Sequence, residues 1–200
     1  MLDSFMTRWA VLQRVQSNSA RILHQAGIRA NWATTIGGIL GILAGVMFAR
    51  GQLAVGIIAL ALSGGLDAVD GTIAREFESA TPLGGILDLT LDRIVEVAVL
   101  LGLVWRHAPM YLAAAVVLAT WYVNITVFLA TGAALGPGEK LIHYPPGLVE
   151  RSEALLFFVL LALAAPLGVY ICYAYAVLET ATATQRIAYA WLHLEASPNR

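Results

Sequence analysis

Apolar residues run through this chain in long blocks, and most polar positions fall in the gaps between them. Blocks near 32–50, 52–74, 83–106, 109–131, 152–171 and 172–194 each approach the ~20 residues that cross a bilayer as a helix. The connections are short, apart from the polar stretch from Gly132 to Arg151. Between the last two blocks, Pro166 and Gly168 form a turn signal that draws their boundary earlier. Ahead of the first block, residues 3–27 set Phe5, Trp9, Leu12 and Val15 against Arg8, Arg14 and Arg21. That pattern suits a helix lying in the membrane interface, the alternative being a flanking tail that only sets topology. The expectation is an all-α integral membrane bundle of about six transmembrane helices with an N-terminal interfacial amphipathic helix. It forms a single domain over 1–200, with the interfacial helix at 3–27 and the bundle at 32–194.

Composition agrees. Hydrophobic residues make up 59% of the 200 and charged residues 12%, and the mean hydropathy is +0.75, which is a membrane-protein profile. A net charge of -1 gives no reason to expect a nucleic-acid partner. Cys172 is the only cysteine, so no intramolecular disulfide forms. No cleavable signal pattern precedes the first block. The cations set the orientation. With the N-terminus inside, Arg8, Arg14, Arg21, Arg29, Arg75, Lys140, Arg151, Arg186 and Arg200 fall on the cytoplasmic side, against Arg50 and Arg106 outside.

The candidate chemistry lies at the end of the second block and the start of the third. Asp67, Asp70, Gly71, Ala74, Arg75, Gly84, Asp88 and Asp92 are spaced D-x2-D-G-x2-A-R-x8-G-x3-D-x3-D. Carboxylates in or beside apolar helices are costly, and by default they mark a functional site. Asp67 and Asp70 share one helix face at i, i+3, and Asp88 and Asp92 share another at i, i+4. The loop from Glu76 to Pro82 is short, so the two helices are antiparallel neighbours and the four acids can converge. Acids so crowded take up protons unless a cation is present. An all-oxygen ligand set selects a hard divalent ion, Mg2+ or Mn2+. Four acids are enough for two ions, the arrangement that steadies attacking and leaving oxygens in phosphoryl transfer. Gly71 allows a ligand close to the backbone, Arg75 offers a planar fork for a phosphate, and Gly84 leaves room on the facing helix.

This pattern resembles the signature of the CDP-alcohol phosphotransferases, membrane enzymes of phospholipid synthesis, at all eight positions and both spacers. The architecture resembles that family as well. The resemblance implies that Asp67, Asp70 and Asp88 bind two divalent metals, and that Asp92 contributes to the second metal and is the catalytic base. It implies that Gly71, Ala74, Arg75, Thr81 and Gly84 belong to the CDP-diacylglycerol site. Asn31 and Thr34 resemble the family's Asn-x-x-Thr element that lines the nucleotide site, with Ala30 in place of the usual Pro. The implied reaction transfers a phosphatidyl group from CDP-diacylglycerol to a hydroxylated acceptor, a polyol or polyol phosphate such as glycerol phosphate or inositol phosphate, and releases CMP. It takes place in a cytoplasm-facing cavity of a multi-pass protein.

Other residues carry weaker signals. Lys140, Arg151 and Arg186 either hold a phosphate on the acceptor or serve topology and lipid headgroups. Glu150, Arg151 and Glu153 resemble the Glu-Arg-x-Glu start of the family's fifth span. Members that use inositol phosphate usually carry a basic cluster late in the fourth span. Here Thr131-Gly132-Ala133-Ala134 is uncharged, a departure that argues against that acceptor. Glu96 pairs with Arg93 or extends the acidic stripe. Gly37, Gly41 and Gly45 make either a homodimer face or a close intramolecular contact. His143-Tyr144-Pro145-Pro146 reads as a rigid loop, and His107 and His193 as interfacial. Trp9, Trp32, Trp105, Trp121 and Trp191 mostly sit near predicted span ends, as an aromatic belt would. Two rival functions remain. One is a divalent-cation transporter, which has no need of Gly71, Ala74, Arg75 and Gly84 at those offsets. The other is a CDP-aminoalcohol:diacylglycerol phosphotransferase, a branch that resembles longer chains.

Overall fold

The computed structural model describes residues 10–136 and 147–195. Among them all regular structure is helical: α1 (Ala10–Gln25), α2 (Ala30–Ala49), α3 (Leu53–Glu76), α4 (Pro82–Val104), α5 (Tyr111–Leu135), α6 (Arg151–Leu163) and α7 (Gly168–Glu195), with short 3-10 turns at Ala108–Met110 and Ala165–Leu167. Local chemistry sets the boundaries. Gly27 (φ 85°) and Gly51 (φ 77°) take the left-handed conformation after α1 and α2. There the N–H of Ile28 reaches Leu23 O at 3.0 Å and that of Gln52 reaches Met47 O at 2.9 Å, closing both helices as Schellman motifs. Thr81 caps α4, its hydroxyl accepting the Gly84 N–H at 3.1 Å, with Pro82 in the first turn. At α6, Glu150 and Glu153 form a capping box in which the Glu153 carboxylate accepts the Glu150 N–H at 3.2 Å.

The helices α2 and α3 and the segment Ala108–Leu135 are each long and apolar enough to cross a membrane, and the protein is an integral membrane protein. Helix α4 carries four charges, Asp88, Asp92, Arg93 and Glu96. The last two blocks are not divided at 171/172. The break lies at Ala164–Leu167, where α6 and the segment that follows are bent by 109°. Pro166 has no N–H to give and its ring opposes the carbonyl one turn back, so the helix cannot run through. Helix α6 has 13 residues and rises only about 20 Å, short of the ~30 Å hydrocarbon layer.

The chain divides into two compact units at 108/109. In the N-terminal unit, glycines let α2 lie directly on α3 and α4. A Cβ at Gly37 would meet Ser63 O at 3.4 Å, and one at Gly38 would meet the Leu91 side chain at 3.0 Å. Gly41 presses on Val95, and at Gly45 a Cβ would run into the Ala98 carbonyl. A Cβ at Gly102 would in turn run into the Gly45 carbonyl, so these helices touch backbone to backbone. The Ser63 hydroxyl donates to Gly37 O at 2.7 Å across the same seam. The glycine stripe is therefore an intramolecular contact. Helix α1 meets α2 and α3 in one core, Ala20 of α1 with Ala30 and Ala33 of α2 and Val69 and Ile73 of α3, with Leu23, Ile28, Ala74 and Phe77 around them. Ser17 donates to Glu76 at 2.8 Å, and the His24 ring stacks on Phe77 at 5.2 Å.

In the C-terminal unit the packing is aromatic. Trp121 is buried in the middle of α5, edge-on to Phe157, Phe158 and Tyr175, while Phe157 and Tyr175 stack at 4.0 Å. Trp121 is thus a core residue and not part of an interfacial belt, because three rings from α6 and α7 enclose it. Trp32, Trp105 and Trp191 are exposed near helix ends. Trp9 and His143–Pro146 lie outside the described residues.

Candidate active site

The acidic motif becomes a cluster because α3 and α4 both pack along α2, which brings the end of α3 near the start of α4; the two make little direct contact, so they are not the antiparallel neighbours that their short loop suggests. Asp67 and Asp70 lie near the C-terminal end of α3 and Asp88 in the second turn of α4. One carboxylate oxygen from each of the three lies within 4.8 Å of the other two. Asp70 is buried, and Asp67 and Asp88 are half-buried. Like charges at 4.8 Å repel by roughly 3 kcal/mol per pair at an effective dielectric of ~20, so a cation is the natural complement. Oδ1 of Asp88 is buried with no hydrogen-bond partner, which suits a ligand to a cation. The donor set is all carboxylate oxygen, which fits a hard divalent cation. Asp92 lies one turn beyond Asp88 on α4, about 6 Å along the axis, and is not one of the three.

The neighbouring motif residues take particular places. Thr34 donates to Asp70 Oδ2 at 2.6 Å and lies 3.0 Å from Ala30 O, so this residue of the Asn-x-x-Thr element orients a carboxylate of the cluster. Asn31 lies against Gly84, where a Cβ would come within 3.0 Å of its Oδ1. A side chain at 84 would push the Asn31 amide aside. Arg75 folds back along its own helix, with Nη1 3.0 Å from where a Gly71 Cβ would sit and Nη2 3.4 Å from Thr72 Oγ1. Its exposed guanidinium is available at the end of α3. Ala74 packs beside the α1–α3 core, and Thr81 is occupied as the helix cap. Glu96 pairs with Arg93 at 2.6 Å, which takes it out of the acidic stripe.

The candidate acceptor cations divide differently. Lys140 lies outside the described residues. Arg151 is exposed at the first residue of α6. Arg186, on α7, is half-buried: Nη1 donates to Asn124 Oδ1 at 2.7 Å and its Cζ lies 4.9 Å from the centre of the Phe128 ring. The Asn124 amide in turn donates to Glu179 Oε2. Asn124 and Glu179 are buried in the middle of long apolar helices. Sequence reasoning did not single them out. The signal was present in Glu179, an acid within a predicted span, but its partner lies 55 positions away.

Comparison with known proteins adds a second line of evidence. The family model described as CDP-alcohol phosphatidyltransferase matches residues 28–184. The archaetidylinositol phosphate synthase of Pyrococcus horikoshii is 30% identical over 178 residues, covering 88% of this chain and 90% of that protein. The phosphatidylinositol phosphate synthase of Mycobacterium tuberculosis, solved in complex with manganese and citrate, superposes with a TM-score of 0.73 at 26% identity, covering 88% of each chain. The same enzyme with CDP-DAG bound gives a TM-score of 0.73 at 26% identity over 89% of this chain and 94% of that one.

Proposed function

Because this chain belongs to the CDP-alcohol phosphatidyltransferase family and is a metal-dependent transferase of phospholipid synthesis, we propose that Asp67, Asp70, Asp88 and Asp92 hold two divalent ions, Mg2+ or Mn2+, and that a phosphorylated polyol is the acceptor. The observation that carries the metal reading is the convergence of three carboxylates within 4.8 Å, one of them with a buried oxygen that finds no hydrogen bond. The manganese in the mycobacterial neighbour supports it.

The ions, when bound, neutralise the diphosphate of the CDP-lipid and stabilise charge on the departing oxygen. The chain's own residues do the rest. Thr34 fixes the rotamer of Asp70 by hydrogen bond. Asn31, Gly71, Arg75, Thr81 and Gly84 frame the nucleotide, with Arg75 supplying the fork for a phosphate oxygen. Asp92 takes the proton from the acceptor hydroxyl as that oxygen bonds to the phosphorus carrying the diacylglycerol, and CMP departs with the bonding pair. Holding the acceptor in line supplies much of the acceleration.

The acceptor reading rests on the names of the relatives and on the cations of the C-terminal unit. Inositol phosphate is the first candidate, since both relatives are named for products that carry it. The stretch Thr131–Ala134 brings no charge, so the acceptor phosphate falls to Arg186 and Arg151, with Lys140 as a further candidate. A single membrane domain of about six membrane-embedded helices, with α6 too short to span alone, α1 in the interface and the acidic cluster facing the cytoplasm, completes the proposal. It is supported by the match across 28–184, by exposed Val15 and Ile22 on α1, and by the nine-to-two distribution of Lys and Arg.

The test is CMP release by the purified full-length protein with CDP-diacylglycerol and a panel of inositol phosphate, glycerol phosphate, inositol, serine and phosphatidylglycerol. Turnover is expected with a phosphorylated polyol, lost in excess EDTA and restored by Mg2+ or Mn2+. Full turnover in EDTA overturns the metal assignment, and a preference for an uncharged acceptor overturns the phosphate reading.

A further inference from the structure

A buried carboxylate in a membrane helix needs a reason, and Glu179 has one that involves Arg186. Glu179 is 4% exposed, midway along α7, and Asn124 is 7% exposed, midway along α5. The amide of Asn124 stands between the carboxylate and the guanidinium. Its NH2 donates to Glu179 Oε2 and its Oδ1 accepts from Arg186 Nη1 at 2.7 Å. Chemistry leaves this amide one orientation. A carboxylate can only accept and a guanidinium can only donate, so the flipped amide would face acceptor with acceptor and donor with donor.

The rest of the surroundings restrict the guanidinium further. Phe128, one turn after Asn124 on α5, lies under it at 4.9 Å. A Cβ on Gly147 would come within 3.0 Å of Nη2 and 2.7 Å of the Thr182 methyl, so only a bare backbone fits at that place. Thr182, fully buried, holds that segment by accepting the Val149 N–H at 3.0 Å. Glu179, Thr182 and Arg186 share one face of α7 at i, i+3 and i+7.

We infer that Glu179 and Asn124 are positioning residues for the acceptor site: the Glu179 carboxylate fixes the Asn124 amide, and the amide fixes the Arg186 guanidinium in the orientation that receives the acceptor's phosphate. This rests on the reading of Arg186 as an acceptor-phosphate ligand. A long arginine left to itself loses rotamer freedom at each binding event, whereas one already held loses little. The site therefore recognises a phosphate dianion with a fork that is aimed before the acceptor arrives.

The experiment uses the full-length protein in detergent, with inositol phosphate as the varied acceptor and CMP release as the readout. Arg186→Ala should raise the acceptor KM roughly 10- to 150-fold with little change in the donor KM. Asn124→Ala and Glu179→Leu should each raise the acceptor KM at least about 5-fold, again sparing the donor. Asn124→Ala combined with Arg186→Ala should be no worse than Arg186→Ala alone. The decisive arm exchanges the two groups. Asn124→Asp alone sets carboxylate against carboxylate and should lose at least as much; adding Glu179→Gln keeps an acceptor facing Arg186 and puts a donor against the new carboxylate, so the pair should recover most of that loss. An unchanged acceptor KM in Arg186→Ala overturns the phosphate reading itself. A large effect in Arg186→Ala with none in Asn124→Ala, or no recovery in the exchanged pair, overturns the positioning role alone. Equal losses on both substrates in the single variants would mean general disruption, and that also overturns it.

Discussion

The two units bury polar groups by opposite means. In the N-terminal unit the helices are stripped to glycine along their seam, the backbones of α2 and α4 touch at Gly45 and Gly102, and three carboxylates of one sign meet within 4.8 Å. In the C-terminal unit the core is aromatic, built of rings around Trp121, and a carboxylate and a guanidinium are joined through an amide of the same chain. The first arrangement is complete only when a cation arrives from outside. The second brings its own countercharge, and its effect is to orient one member. A like-charge cluster therefore marks where a ligand binds, and a compensated chain of unlike groups marks where a side chain is aimed.

The sharpest test of that contrast is Asp88→Asn. Replacing one carboxylate of the cluster should abolish CMP release. It should leave the metal-free protein as stable as before or more so, because repulsion is relieved. Measured by thermal unfolding with and without Mg2+, a loss of stability in the metal-free protein would contradict the like-charge picture.

Next in size is Trp121→Ala, which opens a cavity among Phe157, Phe158 and Tyr175 and should cost about 3–5 kcal/mol. A fall in Tm with the metal requirement intact is expected, and an unchanged Tm would remove Trp121 from the core. Asp92→Asn follows. It should keep CDP-diacylglycerol binding and lose at least ~10²-fold in turnover, whereas loss of donor binding as well would make Asp92 chiefly a ligand.

Gly102→Ala is smaller still. It adds one methyl where the Gly45 carbonyl already sits, and about 1–3 kcal/mol of destabilisation is expected from unfolding in detergent. The N-terminal unit thus fails when atoms are added and the C-terminal unit when they are removed. The smallest effect is Glu153→Ala, which breaks the α6 capping box and should cost about 1 kcal/mol without altering either KM. An acceptor-selective KM change there would give Glu153 a role in binding that its hydrogen bond does not predict.

The acidic cluster was legible because its parts are local. Asp67, Asp70 and Asp88 lie on two helices joined by a short turn, so helical periodicity sets their faces, while it is the packing of both helices on α2, and not a contact between the two, that brings them together. The first four apolar blocks became α2 to α5 with ends displaced by a few residues, since caps and glycines, rather than hydropathy, decide where helices stop. The division at Pro166 was signalled by a single residue and was misplaced wherever the apolar count was followed instead. The belt reading failed at Trp121 because hydropathy does not distinguish lipid from an aromatic core. Asn124 and Glu179 escaped notice because their meaning is a pairing across 55 positions, which no local pattern encodes. Thr34 was read through family resemblance as a nucleotide contact, and its bond to Asp70 needed coordinates. Cation transport is set aside by the family match, which spans 28–184.

The backbone contact between Gly45 and Gly102 bears on how such enzymes can be recombined. Any side chain at either position strains the seam, so a library randomising one of them and selected for stability should be strongly enriched in glycine. The fit also depends on the register of both helices at once. A chimera that borrows α4 from a relative must therefore borrow α2 with it. A junction at 108/109 keeps the glycine seam and the carboxylates on one parent and moves Asn124, Glu179 and Arg186 together on the other. Exchanging whole units at that junction tests whether acceptor preference travels with Asn124, Glu179 and Arg186.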